Sequence, residues 1–222
     1  SDLSQDTQQT AKPAEQMNLF EDKLLDVNHK QDYRIIGQLF DTYWLIEFED
    51  SFYMMDQHAA HEKILYERLM KQFHEKTYHS QMIMPPVILT LSLREEQILK
   101  ENWKTFTALG YEIEEFGGKE YKVTGLPAEL PTVIDCKQLL IELIDTIADE
   151  SATHDPERIT EKVASMSCKA AVKGNNRLSF KEAEELMREL MEAENPYNCP
   201  HGRPTLIKMT KYEIERKFKR IL

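Results

Sequence analysis

Three runs of aromatic and branched residues, Tyr33 to Leu39, Tyr43 to Phe48 and Phe52 to Met55, follow one another with almost no connecting chain. Only Asp41-Thr42 and Glu49-Asp50-Ser51 turn the chain between them. Connections that short join antiparallel neighbours, because a parallel partner needs a crossover of roughly a dozen residues or more. The segment therefore reads as a meander, and it feeds a helix beginning near Gln57. Along that helix Ala60, Ile64, Leu69 and Phe73 fall near one face, and His58 and Glu62, one turn apart, share another.

Beyond this helix the pattern changes. Met82 to Leu91 reads as extended, and Pro85-Pro86 suits a sheet edge or an irregular entry. Arg94 to Leu109 has the period of one amphipathic helix and stops at Gly110. Tyr111 to Phe116 and Tyr121 to Leu126 form a hairpin about Gly117-Gly118, and Lys137 to Ala148 is a further helix. The order β-α-β-β-α describes a small two-layer module. A polar loop, Glu150 to Pro156, precedes a helix over Arg158 to Lys173 that carries Cys168. Ser179 and Glu182 make a capping box for a helix that runs to Ala193, and Asn195-Pro196 breaks it. After Cys199-Pro200-His201-Gly202-Arg203-Pro204 come a short strand, Thr205 to Met209, and a helix from Lys211. The fold class expected is α+β.

Residues 1–31 are polar and without period, apart from Gln16-Met17-Asn18-Leu19-Phe20, and read as a flexible linker attached to a larger protein. No apolar run approaches a membrane span, so a cytoplasmic location without a membrane partner is expected. The cysteines are Cys136, Cys168 and Cys199, an odd and sparse set that argues against a disulfide framework and leaves thiols available as ligands. The net charge is −11, whereas a domain that grips DNA unaided carries a basic excess. Action on nucleic acid therefore requires help from a partner or another domain.

Chemistry concentrates in a few strings. His58 and Glu62 can share one ion, although a surface ion pair is the more common use of such spacing. Asp56 stands where a helix N-cap belongs, a role compatible with reaching a metal. Cys199 and His201 offer a thiolate and an imidazole across a proline, and Gly202 and Arg203 add backbone freedom and a phosphate-binding fork. Cys168 by itself reads as a small buried residue, and Lys169 is placed for a phosphate or simply for solvent. Together the donors suit zinc, and the acids also admit manganese or magnesium. A metal here can polarise a phosphodiester, or it can be structural if four ligands close around it.

Read together, DQHAAHEKILYE (Asp56 to Glu67), SCKAAVK (Ser167 to Lys173) and CPHGRP (Cys199 to Pro204) resemble the C-terminal domain of the MutL DNA mismatch-repair proteins. Phe218-Lys219-Arg220 resembles the end of that family, and the likeness extends over residues 32–222. The first string fits the pattern DQHA-x-x-E-x-x-x-x-E, with Asp56 to Ala59, Glu62 and Glu67 in place. The resemblance implies a metal-dependent endonuclease that nicks double-stranded DNA, using Zn2+ and/or Mn2+. ATP would bind only in an N-terminal domain absent from this sequence. It implies a bacterial, nucleoid-associated homodimer that meets the mismatch-recognition protein through the full-length chain. Residues 32–76 and 158–222 would form a dimerisation and endonuclease subdomain, and 77–157 an inserted outer regulatory subdomain. By the same resemblance Asp56 and Glu62 are catalytic, and His58, Glu62, Cys168, Cys199 and His201 hold metal. Lys169 and Arg203 are candidates for phosphate contact.

The family is also loaded by the replication sliding clamp, which accounts for the acidic charge. Two segments resemble clamp-binding peptides. Gln81-Met82-Ile83-Met84-Pro85 lies in the outer subdomain, one residue shorter than the family spacing, which Pro86 restores. Gln16-Met17-Asn18-Leu19-Phe20, with Gln16, Leu19 and Phe20 at the key positions, is closer to the peptide but lies in the linker. Two other readings stand beside the nickase: a non-catalytic homodimerisation and interaction module with structural zinc, and a zinc hydrolase for another substrate, which needs a deep apolar pocket rather than an open groove.

Overall fold

Trp44, Ile46 and Phe48 alternate with Tyr43, Leu45 and Glu47, so a sheet containing this segment must bury one face. The computed structural model describes residues 33–131, 134–150, 156–172 and 177–221, and it buries that face. Strands β1 (Arg34–Leu39), β2 (Tyr43–Phe48) and β3 (Ser51–Asp56) pair antiparallel in sequence order, as the short turns require. Helix α1 (Gln57–Glu75) follows directly.

The next segment builds a second sheet. Strand β4 (Ser80–Thr90) forms one edge, and its register against its neighbour slips between Met82 and Val87, where the two prolines remove ladder donors. The single helix expected over Arg94 to Leu109 is two helices, α2 (Leu93–Glu101) and α3 (Trp103–Ala108). Asn102 separates them: its backbone leaves helical geometry (φ −106°, ψ 14°) and its amide donates to the Ile98 carbonyl at 2.9 Å. That local bond offers the chain an alternative to continuing the helix. The order is therefore β-α-α-β-β-α, completed by β5 (Glu112–Gly117), β6 (Glu120–Pro127) and α4 (Cys136–Glu150), with sheet order β4-β6-β5.

Helices α5 (Pro156–Val172) and α6 (Phe180–Glu192) return the chain to the first sheet. The Ser179 side chain accepts from the Glu182 amide, and Glu182 reaches back to the Ser179 amide, so the capping box is present. Strand β7 (Leu206–Thr210) then pairs antiparallel with β3, giving the order β1-β2-β3-β7, and the short α7 (Lys211–Lys217) follows.

Two apolar cores result. Trp44, Ile46, Phe48 and Met55 from the first sheet pack with Leu186, Met187 and Leu190 of α6. Leu89, Phe106, Tyr121, Leu140 and Ile144 form the second core. Helix α1 joins them, because Ala60 and Ile64 enter the first and Leu69 and Met70 the second. Among the described residues, the opposite face of the first sheet carries half-buried Leu45, Phe52, Met54 and Met209 and exposed Ile207. Leu45, Met54 and Ile207 lie side by side across β2, β3 and β7, with Phe52 and Met209 as the next pair. No helix among the described residues is long and apolar enough to cross a membrane.

Leu140 is completely buried in the second core and Leu93 is largely exposed at the start of α2. Leu140→Ala is expected to lower unfolding free energy by about 2–5 kcal/mol. Leu93→Ala should change it by no more than about 0.5 kcal/mol. Urea titration followed by circular dichroism measures both.

Candidate metal centre

Asp56 ends β3 and caps α1. Its Oδ1 accepts from the backbone N–H groups of His58 at 2.9 Å and Ala59 at 3.2 Å, neutralising donors that the first helical turn cannot use. The helix start is anchored again by Gln57, which is buried and accepts from Trp44 Nε1 and Gln38 Nε2, each at 3.2 Å. This fixes the rotation of α1, and it turns Glu62 inward, where the residue is only 3% exposed. The alternative of a surface ion pair for Glu62 does not hold, because its carboxylate is buried.

The loop before β7 is built just as tightly. The Gly202 N–H donates to the Cys199 carbonyl at 2.9 Å, and the Cys199 N–H donates to the Arg203 carbonyl at 2.8 Å. Gly202 has φ of 77°, a conformation that a side chain disfavours, which is why glycine stands between the histidine and the arginine. Thr205 is buried and ties the loop to its own base: its N–H donates to the Tyr197 carbonyl at 2.9 Å and its hydroxyl to the Pro196 carbonyl. The Thr205 carbonyl in turn accepts from the Asp56 N–H at 2.9 Å. Loop and helix start are therefore held side by side.

Glu62, Cys199 and His201 meet as a result, with one ligand atom from each lying within 4.8 Å of the others. His201 Nδ1 lies 3.1 Å from Glu62 Oε2, and the Arg203 guanidinium donates to the same oxygen at 2.5 Å. Pairing with Glu62 raises the Arg203 pKa above its ordinary value. The far ring nitrogen of His201, Nε2, is 3.1 Å from the Ser165 hydroxyl on α5. In the neutral tautomer that lets Nδ1–H donate to Glu62, Nε2 accepts from the Ser165 hydroxyl, so both ring nitrogens have partners. Thiol, imidazole and carboxylate are a donor set that fits a divalent transition metal such as zinc. A buried carboxylate that already attracts a cationic side chain is suited to a metal cation.

The other residues singled out in the sequence fall at different distances from this trio. Cys168 is fully buried on α5 and is not one of the three clustered donors. Burial, followed by the negative charges of Glu62 and Glu129, pushes its thiol well above the ordinary range. His58 Nδ1 lies 3.8 Å from Asp56 Oδ1, beside the helix cap, and neither residue belongs to the trio. Lys169 is exposed on α5. Gln81 turns its amide inward, donating to the carbonyls of Pro127 (3.0 Å) and Leu130, whereas Met82 and Met84 stand 75% and 79% exposed on the β4 edge. Ile83 and Pro85 line a shallow recess beside Leu126, Ile134 and Cys136. Gln16, Leu19 and Phe20 lie outside the described residues, as does the whole of 1–31.

Two supporting side chains were not assigned these tasks from sequence. Ser165 meets His201 across the α5 interface, which no local pattern signals. Glu67, the last acid of the DQHA pattern, accepts from the backbone N–H groups of Glu194 (3.0 Å) and Asn195 (3.3 Å) and pairs with buried Lys63 at 2.8 Å. It ties the turn after α6, and hence the stem of the Cys199 loop, to α1. Its spacing within the pattern was the available signal.

The family described as MutL C terminal dimerisation domain matches residues 36–178. The DNA mismatch repair protein MutL of Agathobacter rectalis is 54% identical over 193 residues, covering 87% of this chain and 30% of the relative. MutL of Caldanaerobacter subterraneus subsp. tengcongensis is 39% identical over 88% of this chain and 33% of its own length. MutL of Clostridium tetani is 35% identical over 97% of this chain and 35% of its own length. The chain thus spans about a third of these relatives.

Burial also pushes the Cys136 thiol up, to about 11. A raised thiol pKa in the fold means that stability is complete below the unfolded value near 9.0 and declines as pH rises from there through about 11. At about pH 8 both Cys136 and Cys168 remain thiols, and thiols are unreactive relative to thiolates. Iodoacetamide followed by peptide mass analysis should leave both unlabelled in the folded, metal-free chain and label both in urea.

Proposed function

The chain belongs to the MutL C terminal dimerisation domain family, and we propose that its Glu62–Cys199–His201 centre serves a metal-dependent endonuclease that nicks double-stranded DNA in mismatch repair. The observation that carries this reading is the convergence of a carboxylate, a thiol and an imidazole, drawn from the start of α1 and from the Cys199 loop, with one ligand atom from each within 4.8 Å of the others. That loop is open: His201, Gly202, Arg203 and Pro204 are all exposed, which suits a duplex better than a small substrate in an apolar pocket.

Glu62, Cys199 and His201 would hold the ion, zinc or manganese. The cation supplies positive charge against the oxygens of a phosphodiester. The rest is done by the chain itself. Ser165 and the Cys199 loop orient the imidazole. Asp56 uses Oδ1 for the helix cap and has Oδ2 for a catalytic role, with His58 beside it. Arg203 and Lys169, both exposed, are placed to meet phosphate. Cys168, buried on α5 within electrostatic reach of Glu62, is the further thiol proposed for the ligand set.

The whole chain carries net charge −11, so a partner is proposed to bring it to DNA. The exposed Met82 and Met84 on the β4 edge are the apolar contacts proposed for a sliding clamp. The apolar stripe of half-buried Leu45, Phe52, Met54 and Met209 and exposed Ile207 is the surface proposed for a homodimer.

With manganese and sliding clamp, the chain should nick supercoiled plasmid, and Asp56→Asn and Glu62→Lys should each lower the rate by about 100-fold or more. Equal rates in all three proteins would overturn the assignment. Met54→Asp combined with Ile207→Asp should convert a dimer into a folded monomer, read by sedimentation equilibrium.

A further inference from the structure

Glu62 Oε2 is the most contested atom in the site. It is buried, it faces His201 at 3.1 Å, and it accepts from Arg203 at 2.5 Å. A buried carboxylate needs a counter-charge, and in this arrangement a guanidinium supplies it. Arg203 is not itself locked away, because its side chain is 48% exposed while that of Glu62 is 4% exposed. Its attachment can therefore change by rotation into solvent, without repacking any core.

Resting on the metal reading above, we propose that Arg203 is a latch that competes with the metal: it occupies the Glu62 carboxylate when no ion is bound and is released to solvent, available to a phosphate, when a divalent cation takes that carboxylate. The physical reason is exclusion. Arg203 and a metal ion are both cations seeking one buried oxygen, and like charges held that close repel. The loop makes the exchange local. Cys199 and Arg203 are joined by a backbone hydrogen bond, and Gly202 lies in the left-handed region between the two ligating residues and the arginine, so the loop backbone can stay in place while the side chain leaves. The apparent metal affinity is then lowered by the fraction of molecules in which the latch is closed. The device links the two halves of substrate recognition: a site without metal does not present Arg203, and a site with metal does.

The test is zinc binding by competition with a chromophoric chelator, using the chain itself, Arg203→Gln, and Cys199→Ser as the control for the site. Removing the latch should tighten zinc binding by roughly tenfold, the equivalent of one lost hydrogen bond to a charged group. The same variant should melt at a lower temperature than wild type in chelator and close to wild type in saturating zinc. Circular dichroism in chelator confirms that the variant is folded. Equal or weaker zinc binding by Arg203→Gln, with Cys199→Ser still abolishing it, overturns the latch and leaves the metal site standing. Failure of the wild-type chain to bind zinc at all overturns the metal reading, and the latch with it.

Discussion

The antiparallel pairing of β3 with β7 is the contact on which the site depends. Met55 lies opposite Leu206, and the ladder is extended by the bond from the Asp56 N–H to the Thr205 carbonyl. Everything before β3 and everything after β7 is thereby aligned at one end of the sheet. On one side the chain enters α1 and delivers Glu62 on the second helical turn. On the other it has just left the loop carrying Cys199, His201 and Arg203. The side chains that meet are 139 and 141 residues apart in sequence, and the intervening chain includes a whole second sheet. Such a long closure is costly in entropy. It is offset by a strand pair and by the packing of α6 onto the first sheet, neither of which involves the site itself.

Helix α1 does the complementary work. Its two ends serve different cores, with Ala60 and Ile64 in one and Leu69 and Met70 in the other. Glu62 and Lys63 are buried between these apolar contributions, which explains how a helix rich in charge sits inside the molecule. Each buried charge has an answer: Lys63 pairs with Glu67, and Glu62 with Arg203 and His201. A charge buried in this way contributes little to stability, but removing one partner strands the other. The arrangement therefore favours specificity of geometry over stability.

Much of the scaffold was legible because it is local. The meander follows from the short turns at Asp41-Thr42 and Glu49-Asp50-Ser51, the α1 start from Asp56, the α6 start from the Ser179 and Glu182 pair, and the edge character of β4 from Pro85-Pro86. The break at Asn102 was not legible, since a single asparagine within an amphipathic pattern does not by itself reveal that its amide will bond the Ile98 carbonyl. The grouping of Glu62 with Cys199 and His201 came from the resemblance of three strings and not from their spacing, which spans most of the chain. What sequence could not give was depth. The resemblance marks Glu62 as catalytic and metal-binding but does not say that it is buried; it marks Cys168 as a ligand, and Cys168 is fully buried on α5; Arg203 reads as a phosphate contact and is engaged with Glu62. Each depends on packing between α1, α5 and the Cys199 loop, which no local pattern encodes.

The central claim is that Glu62, Cys199 and His201 form a cation site. The most direct measurement is anomalous X-ray diffraction at the zinc absorption edge from crystals grown with zinc. The account predicts an anomalous peak within bonding distance of Cys199 Sγ, a ring nitrogen of His201 and a Glu62 carboxylate oxygen, at about 2.0–2.3 Å from each. A zinc peak elsewhere in the molecule, or no peak at this trio while Arg203 still holds the Glu62 oxygen, would contradict it.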